Sequence, residues 1–253
     1  MNDIYQAPEA ALTEVKAIEG FGSLEKGISG DYALSVQDVF SEALSKTRGV
    51  KWTFQKAFAL YFVVYLLLVC VQMLLLYLGG GFDEATKDSV AAVSANVAGQ
   101  ILVLVLSVPL GVGLFMMGLR RSVEAPVHAG LVIGFYHKTL PLFLTTLLMY
   151  LMIVIGFICL ILPGIYLSIA YSMAMPLVAE KNLGPWEALE TSRKAISKRW
   201  STVFGLWLVL GIAVFISMIP LGIGLIWTMP MMMIAYGIVY RNMFGCEAET
   251  LAD

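Results

Sequence analysis

A chain of 253 residues with 59% hydrophobic and only 13% charged residues, a mean hydropathy of +0.84 and a net charge of −2 is not an ordinary soluble enzyme. The same numbers exclude a disordered chain and a nucleic-acid binder with a basic face, and predict a polytopic, all-α membrane protein. Charge is unevenly spread: residues 1–45 carry two lysines and eight acids, residues 46–241 a net +7, and the last twelve a net −3.

The segment 1–31 has no basic stretch leading into an apolar one, so no cleavable signal peptide is expected. Its acids and its Gly20, Gly22, Gly27 and Gly30 predict a flexible acidic cytoplasmic tail, suited to docking a cytoplasmic protein partner. Residues 32–244 read as one membrane domain, and 245–253 as a second acidic cytoplasmic tail. Crossing about 30 Å of hydrocarbon takes about 20 apolar residues. Stretches near or above that length fall at 57–78, 89–119, 140–162, 164–179, 202–219 and 221–240, which predicts six transmembrane helices in three hairpins. The second hairpin turns at Leu162-Pro163-Gly164 and the third at Ile219-Pro220-Leu221-Gly222, sequences that break helices. A re-entrant pair that never reaches the far side is the competing reading of both.

Orientation follows from charge. With an even number of spans, fifteen of the sixteen lysines and arginines fall on one side, and only Lys87 falls on the other. The bias expected of cytoplasmic loops then predicts that both ends lie in the cytoplasm.

The chain also repeats itself in three units. A short amphipathic segment precedes each odd span, at 35–47, 126–138 and 185–200. Ser35 and Asp38 are spaced as a capping box for the first, with Val36, Val39, Phe40, Ala43 and Leu44 on one face. Asn182 is expected to cap the third, with Pro185 in its first turn. Each even span carries a proline, and Pro109, Pro176 and Pro230 are expected to bend mid-helix. Pro109 and Pro230 each stand eleven residues before an arginine, Arg120 and Arg241, and two residues after a hydroxyl, Ser107 and Thr228. Those hydroxyls are expected to satisfy a carbonyl that the proline frees.

Candidate chemistry is sparse. Every Lys, Arg, Asp and Glu lies outside the six apolar stretches, which argues against proton-coupled transport and leaves a carrier or channel lined by neutral groups open. Gln72, Asn96, Gln100, Ser107 and Thr228 are either interhelical contacts or a polar path. Ala91, Ala95 and Gly99 form a small-residue stripe that allows close helix approach. The 14 methionines cluster at the bends; packing explains them, and Cu(I) ligation together with Cys70 and Cys159 is the alternative. Glu124, His128 and His137 lack a third ligand and a helical register, so a metal site is not expected there. Lys51, Arg120, Arg121, Lys138, Arg193, Lys194, Lys198 and Arg199 are placed to contact anionic phospholipid. No nucleophile elbow, phosphate loop or zinc-protease helix is present in the sequence, so neither an enzyme nor a cofactor is expected.

The run Ile161-Leu162-Pro163-Gly164-Ile165-Tyr166, then Met175-Pro176-Leu177-Val178-Ala179-Glu180, then Glu187-Ala188-Leu189-Glu190-Thr191-Ser192 resembles the YciC-like group of bacterial inner-membrane proteins. That group is similar to the membrane domain of some glycerophosphodiester phosphodiesterases. The resemblance spans about residues 32–244, and implies a six-helix fold and no catalytic residues. The segment Asp3-Ile4-Tyr5-Gln6-Ala7-Pro8 looks like a short motif found on various bacterial membrane proteins. Two functions are expected from the whole. The first is a self-associating scaffold, a homo-oligomer that organises the membrane and binds lipid. The alternative is a channel or transporter for a small uncharged or amphipathic solute.

Overall fold

The computed structural model describes residues 21–251, and all of its regular elements are helices. Residues 1–20, most of the expected acidic tail, lie outside the described residues. The remainder of that tail is structured. Helix α1 (Leu24–Ser29) starts at Ser23, whose hydroxyl accepts the Lys26 N–H, and stops at Gly30 in a left-handed turn. Gly22 lies on the backbone of Asn242 and Met243, and Gly27 on the ring of Phe244. Glycines that predict flexibility serve here for close approach, because a Cβ at either would strike those atoms.

Helix α2 (Val36–Thr47) begins as expected, with Ser35 Oγ accepting the Asp38 N–H, and buries Val39, Ala43 and Thr47. Leu44, expected on the same face, is exposed. Then come α3 (Lys51–Leu78) and α4 (Val90–Ser122), the latter capped by Ser89 and about 50 Å long. The second amphipathic segment does not form an α-helix. It folds as two short 3-10 turns, Ala129–Ile133 and Tyr136–Lys138. Pro126, Gly130 and Gly134 break the helix, and Val132 lies against the backbone of Gly113 in α4.

Helix α5 (Thr139–Cys159) and α6 (Ile161–Ala170) meet at Leu160, the one extended residue between them. The turn therefore precedes the expected Pro163-Gly164. Pro163 sits in the first turn of α6, where its missing N–H is harmless, and Gly164 packs on Gly156 and Phe157. The expected fourth span is broken into α6 and α7 (Ala174–Lys181). Ser192 bridges the break, donating to the Ala170 carbonyl at 2.7 Å and accepting the Met173 N–H at 3.1 Å. Pro176 thus lies in the first turn of α7 and is not a mid-helix bend. Asn182 ends α7 in a left-handed conformation, and Gly184 is the residue that caps α8 (Pro185–Ser197). Helices α9 (Trp200–Met218) and α10 (Leu225–Phe244) follow, then α11 (Ala248–Leu251).

Five segments are long and apolar enough to cross a membrane: Lys51–Leu78, Val90–Ser122, Ala129–Cys159, Ile161–Lys181 and Trp200–Met218. This is an all-α membrane protein. The expected sixth span becomes α10, which is also its most enclosed long helix. Gly118 of α4 and Gly237 of α10 bring the two backbones together, so that a Cβ on either would meet the other helix's main chain. Burial concentrates where Arg120 and Arg241 end these helices, around Leu110, Met117, Leu119, Phe54, Leu142, Leu206, Tyr240 and Phe244. At the far end the helices bare Phe62, Leu67, Leu74, Ile155, Ile158, Phe215 and Ile219, a surface suited to lipid.

Candidate functional site

A cavity of about 340 Å³ opens midway along the bundle, where α4, α5, α7 and α10 converge on the prolines. Helix α4 contributes Ser107, Gly111, Val112 and Phe115, and α5 contributes Thr146, Met149 and Tyr150. Ser172, Met175, Pro176, Met232, Met233 and Tyr236 complete it. Val112, Phe115 and Thr146 are buried in its wall, while Gly111 and Tyr150 stand exposed at its rim. Nothing lies within 4 Å of where a Cβ on Gly111 would be. The lining is thus mostly thioether, aromatic and aliphatic, with the aliphatic hydroxyls of Ser107, Thr146 and Ser172 among them.

Its rigidity comes from neighbouring rings and from the way the bends are satisfied. Tyr236 stacks on Trp207 with centroids 3.8 Å apart, and Phe115 meets Tyr236 and Tyr240 edge-on. Pro230 cannot donate to the Ile226 carbonyl, and Gln55 of α3 does so at 3.2 Å. Near Pro109, Tyr136 donates at 3.0 Å to the Leu106 carbonyl, one residue past the Val105 carbonyl that the proline frees. The expected hydroxyls bond elsewhere: Ser107 to the Leu104 carbonyl and Thr228 to that of Gly224. Their short reach favours carbonyls three and four residues back on their own helix. Ser172 Oγ and Trp207 Nε1 are buried without a hydrogen-bond partner among the described residues.

The five expected path residues do not line one route. Gln100 donates to Asn96 Oδ1 at 3.1 Å, and Gln72 lies over Gly99 inside the α3–α4 hairpin. Only Ser107 reaches the cavity. The small-residue stripe is spent within this hairpin, where Gly79 packs on Ala91 and Ala95. Of the methionines, four line the cavity; Cys70 and Cys159 are exposed and do not line it.

Below the cavity, the charged end is tied by a polar network that composition alone did not reveal. Glu180 accepts from the Tyr240 hydroxyl at 2.9 Å, from the Glu247 N–H at 2.5 Å and from Thr250, with Lys181 3.4 Å away. Its side chain is wholly buried. Lys181 also pairs with Glu247 at 2.5 Å, drawing the start of the expected C-terminal tail onto the bundle. Cys246 is enclosed there, and burial pushes its thiol up to about 12. Arg241 donates to the Ser122 carbonyl and to Glu42 at 2.8 Å, and covers the ring of Phe21.

The expected lipid contacts divide into two groups. Arg121 caps α2 by donating to the Lys46 and Arg48 carbonyls, and Lys138 caps α7 through the Ala179 carbonyl and Asn182. Arg120 is buried, lining a smaller cavity, because its helix end faces the bundle and not the lipid. Arg193 forks onto Glu190 with two bonds of 2.8 Å, holding that carboxyl below the usual range. Lys51 lies over Trp227. Lys194, Lys198 and Arg199 remain exposed. Glu124 is likewise held low by its hydrogen bond from Lys46, a contact that joins the α4 end to α2. No protein-family model matches this chain, and neither a curated protein nor a solved structure matches it.

Proposed function

We propose that this protein is a non-catalytic carrier that holds the apolar part of an amphipathic molecule in the cavity at the bends. In this reading it is a six-span protein of the bacterial inner membrane, with α10 as the sixth span and both ends cytoplasmic. The reading agrees with the resemblance to YciC-like proteins, which implies a six-helix fold without catalytic residues. One observation carries it: an apolar cavity of about 340 Å³ with an open rim, in the volume range of small-molecule sites. The buried Ser172 hydroxyl in its wall, without a partner among the described residues, is a ready donor to a polar group on such a molecule. Self-association as a scaffold has less support, since the small-residue stripe is used inside one hairpin. Lys194, Lys198 and Arg199 would still rest on anionic phospholipid.

The test is native mass spectrometry of protein released from nanodiscs of bacterial lipid. Wild type should retain an amphiphile, and Gly111→Leu should lose it by filling the rim. Gly211→Leu, at an exposed α9 position with equally open surroundings, should retain it. Equal retention by both variants sinks the proposal.

A further inference from the structure

We infer that the group seated at the bends is an uncharged, quinone-type ring, whose two carbonyls accept from Tyr236 and Ser172 while its apolar tail runs out into the bilayer. The inference rests on the carrier reading above and names the chemistry of the part that is held.

The cavity opens sideways, toward lipid. Gly111 stands nine residues before Arg120, about 14 Å along α4 from the charged end. Tyr150 stands eleven residues after Thr139, about 17 Å along α5 from the same end. Half of a hydrocarbon core of about 30 Å is about 15 Å, so both rim residues lie near its middle. Leu147, Leu151 and Val154, which flank Tyr150 on α5, are exposed, as a lipid-facing surface requires. A molecule entering at this depth is one dissolved in the membrane.

Charge keeps most lipid headgroups out of the chamber. The described lining holds no Lys, Arg, His, Asp or Glu. A phosphate or ammonium inside would lose its hydration with no opposite charge to replace it. The hydroxyls do the selecting. Ser107 and Thr146 spend their protons on the Leu104 and Leu142 carbonyls of their own helices. Ser172 Oγ is buried without a partner among the described residues, and the Tyr236 hydroxyl makes no hydrogen bond to them either. Two donors lacking acceptors, away from water, call for a neutral ligand that brings two acceptors.

The surroundings favour a ring as the bearer of those acceptors. Met149, Met175, Met232 and Met233 bring polarizable sulfurs, and Phe115 and Tyr236 bring aromatic rings, groups that attract a flat unsaturated ring more than an acyl chain. Tyr236 is held by its stack on Trp207, which fixes the position of its hydroxyl before a ligand arrives. A quinone presents two carbonyls on one flat ring and carries no charge. A cavity of about 340 Å³ suits such a ring and the start of its tail.

The experiment uses phosphatidylglycerol nanodiscs doped equally with geranyl-benzoquinone, with geranylbenzene, which lacks the carbonyls, and with dioleoylglycerol, a neutral ester. The molecules retained by the released protein are weighed by native mass spectrometry. Wild type should retain the quinone at least about tenfold over geranylbenzene, the preference that two hydrogen bonds of ordinary net strength give. Tyr236→Phe and Ser172→Ala should each lower that preference about fivefold and leave the retained geranylbenzene unchanged. Ser172→Ala removes a hydroxyl with no partner among the described residues, so this variant folds even where Tyr236→Phe does not. Geranylbenzene retained as strongly as the quinone, a preference undiminished in Ser172→Ala, or dioleoylglycerol retained above both overturns the inference and leaves the carrier reading standing. Retention of none of the three also overturns it, and equal retention of native lipid by Gly111→Leu and Gly211→Leu brings the carrier reading down with it.

Discussion

Helix α4 allows the two halves of the bundle to be compared on one rod. From Pro109 to Ser122 nearly every side chain is buried, whereas between Val90 and Ser107 only Ala92 and Gly99 are. Helix α10 repeats the pattern, with burial running from Pro230 to Phe244. The charged-end half is therefore held by side-chain packing, glycine crossings and an ion-paired network. The far half consists of helices that satisfy their own backbone and leave their sides to lipid. Stability resides in one half, and the cavity opens where that half stops. A binding site at this boundary has one rigid wall, and a rim free to move.

Substitutions can break this contrast. The largest effect is expected from Glu180→Ala, which leaves Lys181, Tyr240 and the Glu247 N–H without their shared acceptor. A loss of about 3–5 kcal/mol is expected in denaturation titrations in bicelles. Next is Gly118→Ala, which drives a methyl into the α10 backbone and should cost about 1–3 kcal/mol. Its counterpart in the far half, Gly211→Ala, meets nothing and should stabilise by about 0.5–1 kcal/mol. Equal effects at the two glycines would erase the comparison. Gln55→Leu removes the donor to the carbonyl that Pro230 frees, for about 1–2 kcal/mol. The exposed Gln100→Leu should leave stability unchanged or slightly raised in the same titration.

The smallest effect concerns pH. Folding raises the Cys246 thiol to about 12, so its contribution is complete below the ordinary thiol value of about 8.5. It fades as pH climbs from there toward 12. Wild type should lose stability between pH 8 and pH 10 more than Cys246→Ala does, and native Cys246 should resist alkylation at pH 8.

Much of the architecture was legible because it follows from local rules. Ser35 caps the helix expected of it, α4 starts just after Ser89 where its stretch begins, α8 starts at Pro185, and the apolar stretches became long helices. What escaped depends on partners distant in the chain. Whether Arg120 faces lipid or the bundle is decided by how α4 is rotated against α7. The acceptor at Pro230 finds Gln55, 171 residues away, which no spacing rule around the proline would suggest. Glu180 looked like an ordinary acid at the end of an apolar run, since its importance arises only when Tyr240 and Glu247 are brought to it. Turn positions were misplaced for a different reason: Pro163 is compatible with the first turn of a helix as well as with a break.

The strap of residues 21–34 has a consequence for how the protein is made. It closes on α10, the last long helix: Gly22 donates to the Arg241 carbonyl at 3.1 Å, and Glu42 of the following α2 pairs with the Arg241 side chain. Lengthening a loop adds little closure cost, about 0.6 kcal/mol per doubling, so the clasp is thermodynamically inexpensive even across most of the chain. Its timing is strict all the same. During synthesis α1 and α2 emerge long before α10, which completes their docking surface, and a nascent chain halted before residue 241 presents an incompletely docked, protease-sensitive segment. Proteolysis of the strap therefore reports whether insertion has run to completion.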